Sequence, residues 1–511
     1  DHLAPGADPI GDDLGSAGTL LRAWSARWQA EPGARLWKDA VSENAGGAPG
    51  PGTWWTAEEF DAATRAVAGR LRRAGLVPGD RLVWSTSSSV RSVVAHVGAL
   101  RAGLVVVPAN PAYRRREVAH IVADVRPAAA VVDADEFGRW VREASPTVLL
   151  LGPDVDLPDG DAGDLDRADP RDPALIAFTS GTTGAPKGAV LSHANLLAGA
   201  RALRTAWRWD PDDLLVHCLP PFHAHGLCVG VYGTLSAGAS AVLLPAFDPA
   251  LVADTVQDER ATLFFGVPTM YHRLDRSGRV ADLRGLRLAV SGSAPLPADL
   301  HARVSASLGS SVLERYGMTE TLMITSNPYD GERRAGTVGF PLPDVEVRLA
   351  DDGEILVRGP NVFAGYWDRP AADAEAFVHD GGGETDCDGG RPWFRTGDLG
   401  ADQDGYLVIR GRTKELIISG GFNVYPAEVE DVLAAHPAVA EVAVTGTPSD
   451  EWGEVVTAWI VADGDPPSSE ELASYTADRL AAYKRPRLVR VVDALPRNAM
   501  GKVVRQRLGE G

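Results

Sequence analysis

The sequence predicts an α/β protein of more than one domain, and three observations predict it. Amphipathic helical stretches alternate with short apolar runs along most of the chain, the pattern of largely parallel sheets covered by helices. At 511 residues the chain exceeds what one simple core accommodates. Beyond Gly411 lies a separate βαβ-like stretch of about 100 residues, long enough for a small domain of its own. We therefore expect a large N-terminal domain over 1–410 and a small α+β C-terminal domain over 411–511.

Taken in order, the first fifty residues are rich in Gly, Ala and Pro and promise little regular structure. Phe60, Ala63, Val67 and Leu71 mark one face of a helix over 58–74. A strand at 81–84, a helix over 90–102, a strand at 104–107, a helix around 117–124 and a strand at 128–132 follow. The acidic, Pro- and Gly-bearing stretch 154–172 reads as an exposed connection. Further strands are predicted at 214–219, 240–244, 263–265 and 286–291. Val345, Val347 and Leu349, then Ile355 and Val357, alternate around Asp351-Asp352-Gly353, which reads as a hairpin of a small all-β element, a small β-barrel appended to the large domain. The glycine- and acid-rich stretch 379–392 reads as mobile. In the C-terminal part we expect a helix over 427–435, strands at 439–445 and 455–461, and a strand at 488–492. Between them Ser468-x-x-Glu471 is a capping box opening a helix to 482.

Composition excludes several classes. The formal net charge of −19 argues against nucleic acid or an anionic membrane as the main partner. No run of about 18 apolar residues marks a membrane span, and no basic-then-apolar leader precedes the first helix. Cys218, Cys228 and Cys387 lack metal-ligand spacing. A cytoplasmic protein, monomeric or weakly self-associating, is the expectation.

The stretch Thr179-Ser180-Gly181-Thr182-Thr183-Gly184-Ala185-Pro186-Lys187-Gly188 is the strongest local signal. The apolar run 174–178 leads in as a strand. After it, Ser192 is a candidate N-cap, and Leu196, Ala200, Leu203 and Trp207 recur at helical spacing. The expected order is strand, loop, helix. Glycines let backbone N–H groups approach an anion, the hydroxyls add donors and Lys187 adds a point charge, which is the chemistry of a phosphate cradle. It departs from the common P-loop, because Gly188 stands where Ser or Thr would reach magnesium.

Five later strings share its register: Pro221-Phe-His223, Arg315-Tyr-Gly-Met-Thr-Glu-Thr321, Thr396-Gly-Asp398, Gly411-Arg-Thr-Lys-Glu-Leu-Ile417 with Gly420-Gly421, and Pro496-Arg-Asn-Ala-Met-Gly-Lys502. In this order the set resembles the adenylate-forming acyl-CoA synthetase superfamily, over essentially the whole chain. The resemblance implies a two-step reaction. A carboxylate attacks the α-phosphorus of ATP and expels pyrophosphate; CoA then attacks the acyl-adenylate and releases AMP. Positioned donors, lysine and Mg²⁺ suffice for the first step.

The same resemblance implies residue roles. Thr179, Ser180, Gly181, Thr182, Thr183, Gly184 and Lys187 should grip the β- and γ-phosphates. Thr319 should bond the α-phosphate and Glu320 should ligate Mg²⁺. Asp398 should take the ribose hydroxyls, with Arg412 near the nucleotide. Ser293, Ala294, Glu314, Arg315, Tyr316, Gly317 and Met318 should line the adenine and acyl pocket. His223 should gate the acyl site, although by itself it is equally a packed core histidine. Lys502 should bridge the substrate carboxylate and the α-phosphate, then leave as the small domain rotates about Gly411. Gly420, Gly421 and Phe422 should then face the pantetheine of CoA.

Within that superfamily, Phe265-Gly-Val-Pro-Thr-Met-Tyr-His-Arg273, Ser291-Gly-Ser-Ala294 and Glu314–Leu322 resemble bacterial malonyl-CoA synthetases. This implies malonate or methylmalonate as the acid. Arg273, helped by Ser293, His223 and His225, would receive the carboxylate that does not react. Read alone, Arg273 is also a plain helix-surface residue. The string Gly421-Phe-Asn-Val-Tyr-Pro-Ala-Glu-Val-Glu430 looks more like general acyl- and aryl-CoA ligases. The alternatives are therefore a monocarboxylic or aromatic acid, or transfer of the adenylate to a carrier protein, an amine or another small nucleophile.

Overall fold

The computed structural model describes residues 18–41, 52–179, 186–379, 391–419, 422–449, 452–477, 479–498 and 502–509. Ser180, Gly181, Thr182, Thr183, Gly184, Gly420, Gly421 and Cys387 lie outside the described residues, as does most of 379–392. The chain divides into two compact units. One comprises Asp1–Val347 and Val357–Phe394, the other Arg348–Leu356 and Arg395–Gly511.

In the larger unit, among the described residues, one sheet runs in the order Phe340–Pro341, Leu322–Ser326, Leu313–Met318, Leu288–Ser291, Leu263–Gly266, Leu214–His217, Ser240–Leu243, Arg35–Asp39, Trp55–Thr56. Its centre is parallel and its edges antiparallel. Leu263–Gly266 and Leu288–Ser291 are buried at every residue. That is why they read as unbroken apolar runs and not as alternation. A second sheet runs Gly365–Tyr366, Lys187–Ser192, Pro173–Thr179, Val105–Pro108, Arg81–Ser85, Ala129–Val132, Leu149–Leu151.

The helices follow the sequence pattern closely. Ala57–Arg73 opens on a capping box between Thr56 and Glu59 and buries Phe60, Val67 and Leu71. His193–Trp207 opens on Ser192, whose hydroxyl accepts from Asn195 N–H, and buries Leu196, Ala200, Leu203 and Trp207. The Trp207 indole N–H donates to Ser326 Oγ at 3.0 Å, so this helix is pinned to the first sheet by a satisfied buried donor.

One expectation is corrected and another is extended. Strand, loop, helix becomes strand, loop, strand, helix: Pro173–Thr179 and Lys187–Ser192 pair antiparallel, with Thr179 opposite Lys187 and Phe178 opposite Gly188. The short run Gly188-Ala-Val-Leu191 carries too little periodicity to be read as a strand without its partner. The stretch 154–172 is the largely exposed connection expected, without helix or strand, and it is anchored at several points. Val155 is buried, and Asp166 binds Arg101, a guanidinium only 2% exposed that also reaches Asp61 Oδ1 at 2.7 Å and Thr64 Oγ1 at 2.7 Å. Gly69 and Gly160 meet backbone to backbone, where a Cβ on Gly69 would lie 2.2 Å from the Gly160 carbonyl. Those anchors were not legible because the arginines that receive the stretch lie far away in sequence.

In the smaller unit, Ile417–Ser419, Phe422–Val424, Val439–Ser449, Gly453–Ala462 and Leu488–Val491 form one sheet among the described residues. Its core holds Val424, Val429, Leu433, Val456, Ile460 and Leu472. The turn at 351–353 closes with Gly353 N–H on the Ala350 carbonyl at 2.9 Å. Glu471 N–H meets Ser468 Oγ at 3.1 Å, the expected cap, and the helix is described over Ser469–Ala477, with Leu480 N–H on the Thr476 carbonyl at 2.9 Å. Arg485 donates to the Ala477 and Leu480 carbonyls at 2.7 and 2.9 Å.

Candidate active site

Thr179 and Lys187, expected at the phosphates, face each other on paired strands. Thr179 Oγ1 donates to the Lys187 carbonyl at 3.5 Å, and His120 Nε2 lies 2.9 Å from the Pro186 carbonyl. The departure from a P-loop at Gly188 has a steric reason. A Cβ there would stand 2.5 Å from Ile176 Cγ2 on the paired strand. Lys187 Nζ lies 5.1 Å from the ring centroid of Tyr366, whose short strand pairs with Lys187–Ser192.

Thr319 and Glu320 occupy the turn between Leu313–Met318 and Leu322–Ser326. The turn is tight: a Cβ on Gly317 would sit 2.1 Å from the Leu322 carbonyl, and Leu322 itself has φ of 55°. Asn361 Nδ2 donates to the Thr321 and Met323 carbonyls at 2.7 and 3.2 Å, and Phe363 N–H to the Glu320 carbonyl at 2.8 Å. Glu320 is 5% exposed, and Oε1 accepts from the Tyr366 hydroxyl at 3.1 Å. Burial, and then the Glu320 charge, push the Tyr366 phenol well up, so it stays a donor. Tyr366 was not legible as a site residue, because nothing in its surroundings in sequence points to a partner 46 positions away.

His225, expected at the acid, opens a π-helix, His225–Val231, in which Tyr232 N–H reaches the Leu227 carbonyl. His225 Nδ1 lies 3.3 Å from Ser293 Oγ, and Ser293 holds φ of 70°, a left-handed backbone that non-glycine residues rarely adopt. Arg315 is buried, and its Nε and Nη2 have no hydrogen-bond partner. Burial lowers its pKa to about 9. A Cβ on the neighbouring Gly292 would lie 2.4 Å from Arg315 Cζ, so glycine there lets the guanidinium lie flush against backbone. Burial lowers His223 to about 4 and lowers His225 well below the usual imidazole range, with Arg315, His217 and His223 opposing charge on His225. These imidazoles are neutral at pH 7.

The structure thus gathers His225, Ser293 and Arg315, and electrostatically His223. Tyr316, Gly317 and Met318 are half-buried beside the Glu320 turn, and Ala294 is exposed. Glu314 takes Gly336 N–H at 2.9 Å and Leu296 N–H at 3.4 Å, and burial pushes its carboxyl up to about 7. Arg273 is exposed, with its guanidinium 4.9 Å from the Phe247 ring centroid.

The smaller unit carries the remaining residues. Arg412 Nε donates to Asp398 Oδ1 at 2.9 Å, and Asp398 and Arg412 are cross-strand partners. Lys502 presents area to solvent, yet desolvation by its neighbours lowers its pKa. Arg412 and Arg505 push the same way, against Glu415 and Asp398. Phe422 is 56% exposed and stacks on Tyr483 at 4.7 Å.

A helical α/β frame with a hydroxyl- and lysine-bearing hairpin, a buried carboxylate on a tight turn and His225, Ser293 and Arg315 near one another suits an enzyme that activates carboxylates with a nucleotide. The chain belongs to the AMP-binding enzyme family: the family model matches residues 29–367, and the AMP-binding enzyme C-terminal domain matches 428–502. It is similar to a feruloyl-CoA synthase from Amycolatopsis sp, 37% identical over 90% of this chain and 95% of the relative. A malonate–CoA ligase from Arabidopsis thaliana is 35% identical over 85% of this chain and 78% of the relative. The crystal structure of ATP-bound MatB from Rhodopseudomonas palustris superposes with a TM-score of 0.87 at 39% identity, covering 97% of this chain and 98% of that one. The reaction class is that of an AMP-forming acid–CoA ligase, with ATP and CoA as substrates.

Proposed function

We propose that this ligase activates a short dicarboxylic acid, malonate or methylmalonate, and transfers it to CoA. The observation that carries the reading is Arg315, a buried guanidinium with two nitrogens unpaired, next to His225 and Ser293. A cation held this way is destabilising by itself and becomes favourable when a carboxylate meets it. A monocarboxylic acid has nothing to offer it. The malonate–CoA ligase and MatB likenesses support the same reading.

In the first step, the reacting carboxylate approaches the α-phosphorus while Lys187 and Thr179 hold the departing phosphates. Lys502 reduces repulsion between the two anions. Glu320 fits a magnesium ion: it is a buried carboxylate, one oxygen of which is oriented by Tyr366. When bound, the ion would neutralise phosphate charge. Asp398, held by Arg412, takes the ribose hydroxyls. For the second step the hinge is assigned to Gly411, whose φ of 151° few other residues adopt. Gly420, Gly421 and Phe422 are assigned to the CoA step.

Pyrophosphate release over a panel of acids, with the CoA product read by mass, tests the reading. Malonate or methylmalonate should exceed propionate by more than tenfold in kcat/KM, roughly the worth of one charge-assisted contact. Indifference to the second carboxylate would sink it. The feruloyl-CoA synthase likeness favours an aromatic acid as the second reading, and ferulate belongs on the panel.

A further inference from the structure

We propose that Arg505 is a positioning residue for the first half-reaction, the clamp that fixes the hairpin carrying Lys502. The inference rests on the role given above to Lys502 and holds whichever acid is bound.

Lys502 stands on a two-stranded hairpin whose described residues are 496–498 and 502–504. Val504 N–H donates to the Pro496 carbonyl at 2.8 Å and Asn498 N–H to the Lys502 carbonyl at 2.9 Å. Lys502 N–H donates to Asn498 Oδ1 at 3.0 Å, and Arg497 bridges to Val503. These bonds fix the register of the hairpin, not its place on the unit. None of residues 496–498 and 502–509 is buried, so apolar packing does little to hold it there.

Charge places it. Arg505 directly follows the second strand and opens the 3-10 turn Arg505–Arg507. Its Nη1 donates to Glu415 Oε2 at 2.8 Å, and its Nη2 to both carboxylate oxygens of Glu430 at 2.8 Å. Glu415 ends the turn Thr413–Glu415, which follows the strand Tyr406–Arg412. Glu430 lies on the helix Pro426–Ala434, and its Oε1 also accepts from Val444 N–H at 2.7 Å. The Arg505, Glu415 and Glu430 side chains are 21%, 23% and 17% exposed, so they are sheltered from the screening that weakens surface pairs. A planar fork meets two carboxylates from different elements at once, whereas an ammonium offers one point of charge. On the hairpin's other strand, Arg497 Nη2 meets Glu441 Oε2 at 2.9 Å as a second anchor. All these groups lie beyond Gly411, on the same side of the assigned hinge as Lys502, so the clamp travels with the lysine. A reacting group displaced by about 1 Å can lose about a hundredfold in rate, which is what an unclamped hairpin risks.

The test separates the two half-reactions in the intact enzyme, using whichever of malonate, methylmalonate and ferulate it turns over fastest. The first is single-turnover pyrophosphate release without CoA, and the second is thioester formation from the preformed adenylate of that acid, read by mass. Arg505→Met should slow the first about tenfold or more at saturating substrates. Half-saturating ATP and acid, and the rate of the second half-reaction, should stay within about twofold. Arg505→Lys keeps the charge without the fork and should slow the first half-reaction by about threefold or more, less than Met does. Equal losses in both half-reactions, no loss in the first, or full activity in the Lys variant overturns the proposal. If Arg505→Met does not fold, Glu415→Gln, which leaves the Glu430 contacts intact, carries the test. A slowing of about threefold or more confined to the first half-reaction supports the clamp. An unchanged rate, or equal slowing of both, overturns it. Lys502→Ala is the control. If it still forms adenylate at the full rate, the role of Lys502 falls and takes this inference with it. If it loses that step while the Arg505 variants keep it, only the inference falls.

Discussion

The Tyr366 hydroxyl donates to Glu320 Oε1 at 3.1 Å, while the face of the same ring lies 5.1 Å from Lys187 Nζ. One aromatic residue thus sits between the phosphate-loop lysine and the carboxylate assigned to magnesium. Glu320 is oriented by a neutral donor that burial keeps protonated, and Lys187 rests on a π-face instead of a carboxylate that would neutralise it. Tyr366→Phe keeps the ring and removes the donor. It should raise the Mg²⁺ concentration required for half-maximal pyrophosphate release by about tenfold, the worth of a hydrogen bond to a charged group. The unfolding midpoint should hardly move.

Arg315→Met should separate stability from function. Removing a buried, unpaired charge and filling its space should raise stability by roughly 1–3 kcal/mol in the absence of substrate. The same variant should lose activity with malonate and keep activity with propionate. A fall in the unfolding midpoint without ligand would show that Arg315 already has a stabilising partner.

The Glu320 turn has no room for a side chain at 317. Gly317→Ala drives a methyl group against the Leu322 carbonyl and should destabilise the protein by about 3 kcal/mol or more, as forced backbone shifts in packed regions do. Chemical denaturation reads the loss.

Lys502 has its pKa lowered, so it loses its charge at a lower pH than an ordinary lysine. Adenylation should therefore decline with rising pH below the usual lysine range. Lys502→Ala should abolish adenylation while sparing thioester formation from preformed adenylate. A fully active alanine variant would remove Lys502 from the first step.

His217 and His223 both titrate near 4 in the folded protein, against about 6.5 unfolded. Between these values the unfolded chain binds more protons, so stability is fully present above about pH 6.5 and drains away as pH falls toward 4. Replacing His217 with Phe should flatten part of that acid limb, which unfolding midpoints measured from pH 4 to 7 would display.

The groups assigned to the site stand in local strings. Thr319-Glu320 after Tyr316-Gly317 announces a turn with a carboxylate on it, whereas Asp398 after Thr396-Gly397 lies within the strand Trp393–Gln403. The alternation of amphipathic helices with apolar strands likewise declared the α/β class, and Ser192 and Ser468 declared their helix starts. Those features depend on neighbours within a few positions, where periodicity and capping rules operate.

What only tertiary structure decided are relationships between residues far apart in the chain. The strand Lys187–Ser192 needed its partner Pro173–Thr179 before its short apolar run meant anything. Arg315 stands in a nucleotide motif by sequence; that it is buried beside Gly292, with Nε and Nη2 unpartnered among the described residues, follows only from the packing. Arg273, the arginine favoured from sequence, rests on Phe247 at the surface. Tyr366 acquired a role only by meeting Glu320 and Lys187. Desolvation is set by every atom packed around a group, and no local pattern encodes it. The sequence determined which chemical groups are present and on which turns; the packing decided which of them are buried, unpaired and available to react.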